Sequence, residues 1–343
     1  MKMNLRCAVR CGLAWLMLWP IAAMPADDLI PIRIGGQPTT TVTAQVSHVF
    51  MRTDILARNG LKGDVRLFAF GPAVNEALVS GAIDVGFVGD MPSVSLAAAN
   101  APTRVIARQS VFRGALMATT KSNIKSVADL KGRQIYGPHG SSVYLMALAM
   151  LEQAGLKPAQ DAQLVHMGFA DLADAVNSGR IEAFYIWDPW VENFVEKGIA
   201  RVVAQDLGLT MVTVMRDEFM KARPGAAERF LKAHKEALLF AAQNHDLVNG
   251  WFRETDAARA LSMNVVQKAT AYDPQWSAKA FGDVRMSFTD AELDRYFGLA
   301  RRAAELKIFP KLPPMSERVD FAAAKKLDGN PWAFDAKGVK VAK

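Results

Sequence analysis

Between residues 30 and 187 the sequence alternates short runs rich in Ile, Val and Phe with amphipathic stretches, and most junctions carry a glycine. The period predicts strands over 30–34, 65–70, 83–88, 104–107, 115–119, 134–136, 163–167 and 183–187. Between them it predicts helices. One carries Val42, Val46, Val49 and Phe50 on one face and stops at Asn59-Gly60; another runs over 72–80, with Pro72 at its start and Gly81 past its end. Others follow Gly89–Ser93, span 127–130, carry Leu145, Leu148, Ala149 and Leu151 up to Gly155, and span 171–178 before Gly179. Such alternation with short turns builds α/β units whose mostly parallel sheets are covered by helices on both faces.

In sheets of this kind ligands sit beyond the carboxyl ends of the strands. That rule selects Gln37, Thr39 and Thr40 after the first strand, Gly89 and Asp90 after the third, and Gly137-Pro138-His139-Gly140-Ser141-Ser142 before the Leu145 helix. Glycine lets a backbone approach a ligand, and the unpaired N–H groups of a helix start favour an anion. Each residue has a structural alternative: Thr39, Thr40, Asp90, Ser141 and Ser142 are all suited to capping a helix. Trp187, at the end of its strand, is placed to wall a pocket or to fill the core. Asp188-Pro189 reads as an N-cap followed by a first helical residue.

The residues 209–215 look like a further strand, and 216 to about 307 is mostly helical, with Phe230, Leu231, Leu238, Leu239 and Phe240 forming a core stripe. The tail beyond Lys311 either latches across a lobe or lacks fixed structure. At the other end, Lys2, Arg6 and Arg10 precede an uncharged run, 11–24, too short for a bilayer span, and Ala22, Ala23 and Ala26 precede the first acid. This is the pattern of an export signal over 1–26, cut between Ala23 and Ala26. Both cysteines, Cys7 and Cys11, lie in that segment, so the mature chain has no thiol. Loss of the three N-terminal cations lowers the formal net charge from +7 to +4, and no basic run interleaved with aromatics points to nucleic acid. The remaining length, at about 150 residues per domain, suits two domains.

With these elements in place, the motifs resemble a known family. Glu76-Ala77-Leu78-Val79-Ser80-Gly81-Ala82-Ile83-Asp84-Val85-Gly86 with Gly89-Asp90 is similar to a block of the periplasmic binding proteins for sulfonates, taurine and nitrate. Val127-Ala128-Asp129-Leu130-Lys131-Gly132 with Gly140-Ser141-Ser142, and Ile186-Trp187-Asp188-Pro189-Trp190, resemble two others. The resemblance covers about 30–203 and loosens beyond Asn244.

It implies a two-lobed clamshell of the class II type, with lobe 1 over 27–112 and 214–327, lobe 2 over 113–213, and a tail at 328–343. The chain would cross near Phe112 and return near Thr213. It also implies a monomeric, exported protein that passes a small organic anion to the membrane permease of an ABC importer, without cofactor or metal. Gln37, Thr39, Thr40, Gly89, Asp90, Gly140, Ser141, Ser142, Trp187 and Asp188 would face the ligand. Asp188, if not spent as a cap, could accept from a ligand ammonium, as a taurine-like zwitterion requires. Arg113, near the crossing, is a further candidate for positive charge, or a solvated surface arginine. Sulfonate binders of this kind usually carry an aromatic where Gly36 stands, which leaves one wall of the pocket open and the organic part of the ligand undefined; nitrate and a thiamine-precursor pyrimidine remain alternatives. A cysteine-independent enzyme or a sensory module on the same fold is a further alternative. Enzymes on this fold depend on cysteine, and the chain has no Gly-x-Ser-x-Gly, His-Glu-x-x-His or Walker motif.

Overall fold

The structure, a computed structural model, describes residues 29–330 and 334–342; the expected export signal lies outside the described residues. Eight strands form one sheet: β1 (Ile30–Gly36), β2 (Leu61–Leu67), β3 (Val85–Gly89), β4 (Thr103–Thr119), β5 (Gln134–Gly137), β6 (Gln163–His166), β7 (Ala183–Trp187) and β8 (Ala200–Arg216). Their order is β2-β1-β3-β8-β4-β7-β5-β6. Within each end of the sheet, β1 pairs in parallel with β2 and β3, and β5 with β6 and β7. The two long central strands, β4 and β8, run antiparallel to each other and to their outer neighbours, and carry the sheet from one half to the other. Helices α1 (Thr41–Arg52), α2 (Ile55–Arg58), α3 (Gly71–Val79) and α4 (Asp90–Ala98) belong to the first half, α5 (Ser142–Gln153), α6 (Phe169–Asn177) and α7 (Trp190–Glu196) to the second. The chain then returns through α8 (Asp217–Ala222), α9 (Ala226–Gln243), α10 (His245–Arg253), α11 (Met263–Thr270), α12 (Asp290–Glu305) and α13 (Ala322–Asp328).

β7 is buried at every position, which is why it reads as an unbroken apolar run and occupies the middle of its half. On the first half, Phe50 of α1, Phe87 of β3 and Phe230 of α9 pack with centroids 5.8–6.4 Å apart, so the expected stripe on α9 is core.

Several expectations are corrected. The strands expected at 104–107 and 115–119 are parts of the one strand β4, because the polar stretch between them is buried and partnered. Arg108 lies 3.8 Å from Asp273 and 3.4 Å from Glu292. Gln109 accepts from the Thr43 hydroxyl at 2.6 Å, and its backbone carbonyl accepts from Gln275 at 3.0 Å. Likewise β8 begins at Ala200, not 209. The edge strand β2 lies earlier than expected, at Leu61–Leu67, since only Leu61 of it is buried and its apolar pattern is weak. The first helix breaks at Thr53, whose extended backbone bridges Val341, before α2 resumes and Gly60 (φ +71°) ends it. The tail therefore latches: the Asp54 amide donates to the Lys340 carbonyl at 3.1 Å, and the Ala342 amide to the Arg52 carbonyl at 2.7 Å.

Candidate functional site

Four helices begin at one place. α1 starts after Thr40, α3 after Phe70, α4 after Gly89 and α5 after Ser141, and residues at all four starts line a single cavity between the halves of the sheet. Each helix start presents unpaired N–H groups and the equivalent of about half a positive charge. The polar lining is Gln37, Thr40, Ser141 and Ser142, with Gly71 and Gly89 as bare backbone. The apolar lining is Phe70, Pro92, Phe112, Val143, Trp187 and Met211. The cavity measures about 20 Å³. Among the described residues, no ionisable side chain lines it.

Of the residues selected from sequence, Gln37, Thr40, Gly89, Ser141, Ser142 and Trp187 come together here. Gln37 is anchored through a donation from Nε2 to the Phe87 carbonyl at 2.8 Å. The Thr40 hydroxyl makes no capping bond to its helix, which leaves it to the cavity. Ser141 caps α5: its Oγ accepts from the Tyr144 amide at 3.3 Å and donates to the Pro138 carbonyl at 2.6 Å. Ser142 is 6% exposed, and its hydroxyl is buried. It lies against β3, where a Cβ on Gly89 would come within 2.3 Å of it, so only glycine permits this approach.

The other selected residues serve the frame. The Thr39 hydroxyl donates to the Ala69 carbonyl at 3.0 Å. Its own carbonyl accepts from two indoles, Trp187 Nε1 at 2.9 Å and Trp190 Nε1 at 3.0 Å. This ties the start of α1 to the end of β7 across the cavity. Gly140 (φ +73°) turns the chain into α5 in a conformation that side chains disfavour, and does not line the cavity. Asp90 is not the cap of a helix entered at Pro92, since α4 already begins at Asp90. Its carboxylate accepts from the Met91 amide at 2.7 Å and the Thr210 amide at 3.0 Å; burial raises its pKa, and the Ser142 hydroxyl beside it works the other way.

Arg113 and Asp188 take each other. Nε and Nη2 of Arg113 donate to the two Asp188 oxygens at 2.8 Å each, Nη2 also reaches Glu192 at 3.0 Å, and the guanidinium lies 4.6 Å over the Tyr272 ring. Neither lines the cavity, and Arg113 is buried, not the solvated surface arginine of the alternative. Asp188 stands one residue before the N-cap position, since α7 begins at Trp190, but its carboxylate still accepts from the Glu192 amide at 3.2 Å and so serves that helix start in part. Burial raises the Asp188 carboxyl to about 6, and Arg113 opposes that rise.

Gly36 has no room for the aromatic expected of sulfonate binders: a Cβ there would meet Ser47 Oγ at 2.2 Å. The aromatic walls come instead from Phe70, Phe112 and Trp187, with Phe169 stacked behind Trp187 at 6.0 Å. Phe70 stands just past β2 at its carboxyl end, so the rim rule that selected Gln37 reaches it too; Phe112 and Met211 sit mid-strand and carry no local signal. Among the described residues no group of three or more His, Cys, Asp or Glu is placed to hold a metal, and no helix is long and apolar enough to cross a membrane.

A mixed eight-stranded sheet flanked by helices, and a cavity lined from both of its halves, define the two-lobed fold of periplasmic binding proteins. Residues 51–239 match the family described as "ABC transporter, phosphonate, periplasmic substrate-binding protein", and the chain belongs to that family. A protein of Escherichia coli (strain K12) named for binding aliphatic sulfonates is 34% identical over 161 residues, 46% of this chain and 49% of that one. The taurine-binding periplasmic protein of the same organism is 25% identical over 255 residues, 73% of this chain and 76% of that one. The alkanesulfonate-binding protein of Xanthomonas axonopodis pv. citri, solved bound to MOPS, shares the fold with a TM-score of 0.73 at 23% identity, covering 86% of this chain and 99% of that chain.

Proposed function

We propose that this protein is an extracytoplasmic solute-binding protein that captures a small organic anion, an alkyl or aryl sulfonate, in the cavity between its lobes. It then delivers the anion to the membrane permease of an ABC importer. The observation that carries this reading is the convergence of four helix N-termini on one cavity with no ionisable lining. A sulfonate stays ionised at physiological pH, so neutral N–H and O–H dipoles suffice to hold it. Ser142, buried in the lining beside Asp90, supplies a hydroxyl to the anion, and Phe70, Phe112 and Trp187 cover its organic part. With Asp188 committed to Arg113, a ligand ammonium has no carboxylate waiting at that position, which favours a plain sulfonate over a taurine-like zwitterion.

Residues 1–26 act as the export signal, the mature chain works in the periplasm as a monomer, and binding is its whole activity. The lobes divide at 112/113 and 213/214, within β4 and β8. In that region β4 departs from regular register between Val105 and Ala107, Arg108 and Ser110, and Phe112 and Gly114, irregularities suited to a hinge. Nitrate is the second reading, favoured by the small volume of the cavity. Thermal shift with a panel of sulfonates, nitrate and a hydroxymethyl pyrimidine tests this, since a ligand that binds only the native state raises the midpoint. Sulfonates are expected to raise it; a rise with the pyrimidine alone, or release of a cleaved product at catalytic rates, overturns the reading.

A further inference from the structure

We propose that α12 is a clip between the two halves of the molecule, anchored on α4 and releasable from α5, and that Arg302 and Glu152 are positioning residues that set how long an anion stays in the cavity. The inference rests on the anion reading above and adds to it the part that controls release.

The starts of α4 and α5 belong to opposite halves and meet at the cavity: Gly89, just before α4, and Ser141 and Ser142, at the start of α5, all line it. How closely they enclose an anion depends on what joins these two helices. α12 touches both. Met91 in the first turn of α4, Leu145 in the first turn of α5 and Ala303 of α12 are each at most 2% exposed and form one small apolar cluster, with Leu306 and Ile308 packed against it. This cluster is separate from the two larger cores, so it joins the helices without being part of what folds either half.

The two attachments of α12 differ in kind. On the α4 side, Tyr296 is 2% exposed, its hydroxyl lies 2.5 Å from that of Ser93, and its ring stacks on Phe288 at 5.3 Å. Ala300 lies in the same core as Val105, Val212 and Val214. On the other side the links beyond Leu145 are ionic. Nη2 of Arg302 pairs with Glu152, near the end of α5, while Nη1 pairs with Glu305 at 3.0 Å. Arg295 pairs at 2.5 Å with Asp206, on the part of β8 that pairs with Gly114, and its guanidinium rests on Gly208, where a Cβ would come within 2.7 Å of Nη1. The Arg302 and Glu152 side chains are 36% and 28% exposed, so water already reaches both ions and parting them costs little. Parting Tyr296 and Ala300 from their neighbours would expose a core. The helix therefore stays with α4 and lets go of α5. A joint of this strength adds to closure around a bound anion and yields when the anion leaves, so weakening it acts on dissociation rather than on association.

Stopped-flow fluorescence of the mature chain tests the clip, with Trp187 of the cavity wall as reporter and ethanesulfonate, methylphosphonate and nitrate as probes. Arg302→Glu sets two carboxylates against each other, and is expected to raise the dissociation rate at least about threefold while association stays within about twofold. Glu152→Arg alone is expected to do the same, and the two substitutions together to bring the rate back to within about twofold of the unaltered chain. A merely structural role for either residue would not produce that recovery. An unchanged dissociation rate in a folded single variant, a loss confined to association, or no recovery in the double variant overturns the clip and leaves the anion reading intact. If a charge reversal does not fold, Arg302→Gln removes the pair without opposing like charges, and is expected to raise the dissociation rate in the same direction; an unchanged rate again overturns the clip. Failure of all three anions to bind the unaltered chain overturns both.

Discussion

The protein treats charge in opposite ways in two neighbouring regions. In the cavity there are helix starts, hydroxyls and aromatic walls, and none of the described lining residues is ionisable. Behind Trp187, Arg113 is clasped by Asp188 and Glu192, and Lys268 reaches Glu192 at 3.2 Å. Elsewhere in the frame, Arg295 and Arg302 of α12 pair with Asp206 of β8, at 2.5 Å, and with Glu152 of α5. Full charges hold the frame and dipoles are left for the ligand. The physical reason is the cost of exchange: a paired ion loses several kcal/mol when its partner is withdrawn, whereas helix-terminal N–H groups are unpaired within their helix and accept an incoming anion without breaking an intrahelical bond.

The largest effect should come from breaking the frame. Arg113→Met leaves the Asp188 carboxylate buried without its cation, while Glu192 keeps Lys268, and is expected to lower stability in urea unfolding by about 3 to 5 kcal/mol; an unaltered midpoint would show that the ion pair is not what holds that region. Next, removing a cavity hydroxyl should separate the regions. Ser142→Ala is expected to weaken anion binding by about 1.5 to 3 kcal/mol, since bonds to charged groups are worth that much. Because the hydroxyl also stands beside the buried Asp90 carboxylate, the unfolding midpoint should fall by less than it does for Arg113→Met. Calorimetry showing unchanged affinity in folded protein would remove Ser142 from the anion site.

A related substitution probes closure. Gly89→Ala would press a methyl to within 2.3 Å of Ser142 Oγ, and overpacking of this kind costs about 1 to 3 kcal/mol. If that strain is relieved by opening the cleft, small-angle scattering should show a larger radius for the variant, with weaker binding; the same radius and affinity would mean that Ser142 simply rotates away.

The remaining test is pH, and it belongs to the frame. Burial lowers the pKa of His234 to about 3 and that of His48 to about 4. Both stay neutral in the folded chain while the unfolded chain takes up protons below about pH 6.5. Stability is therefore present above that pH and lost as pH falls toward 4, by about 1.4 kcal/mol per unit for each fully buried histidine. A melting temperature that is flat from neutral pH to about 4 would contradict this. Ligand affinity measured on folded protein should not follow the same curve, because neither histidine lines the cavity.

Reading the chain without its partners reached some parts of the molecule and missed others. The strand β7, the start of α5 and the glycine stops at Gly81, Gly155 and Gly179 were legible, since each depends on neighbours in sequence. The continuity of β4 was not. Arg108, Gln109 and Arg113 look like a surface loop until Asp273, Thr43 and Asp188 are brought beside them from other segments. Asp188 shows the same limit at the site. Next to Pro189 it reads as a helix cap, and only the sheet pairing of β4 with β7 sets Arg113 against it.

What the sequence alone determined is therefore the local grammar: alternating strands and helices, the loops that end at helix starts, and the candidates Gln37, Thr40, Gly89, Ser141, Ser142 and Trp187. Local rules suffice there because a helix start exposes its N–H groups wherever it is placed. What only the tertiary structure decided is how those ends are used. It brought four of them to one cavity, gave the Thr39 carbonyl to two tryptophans, and spent the charge of Arg113 on Asp188. Such pairings join residues from 75 to 151 positions apart, and no window along the chain contains both partners.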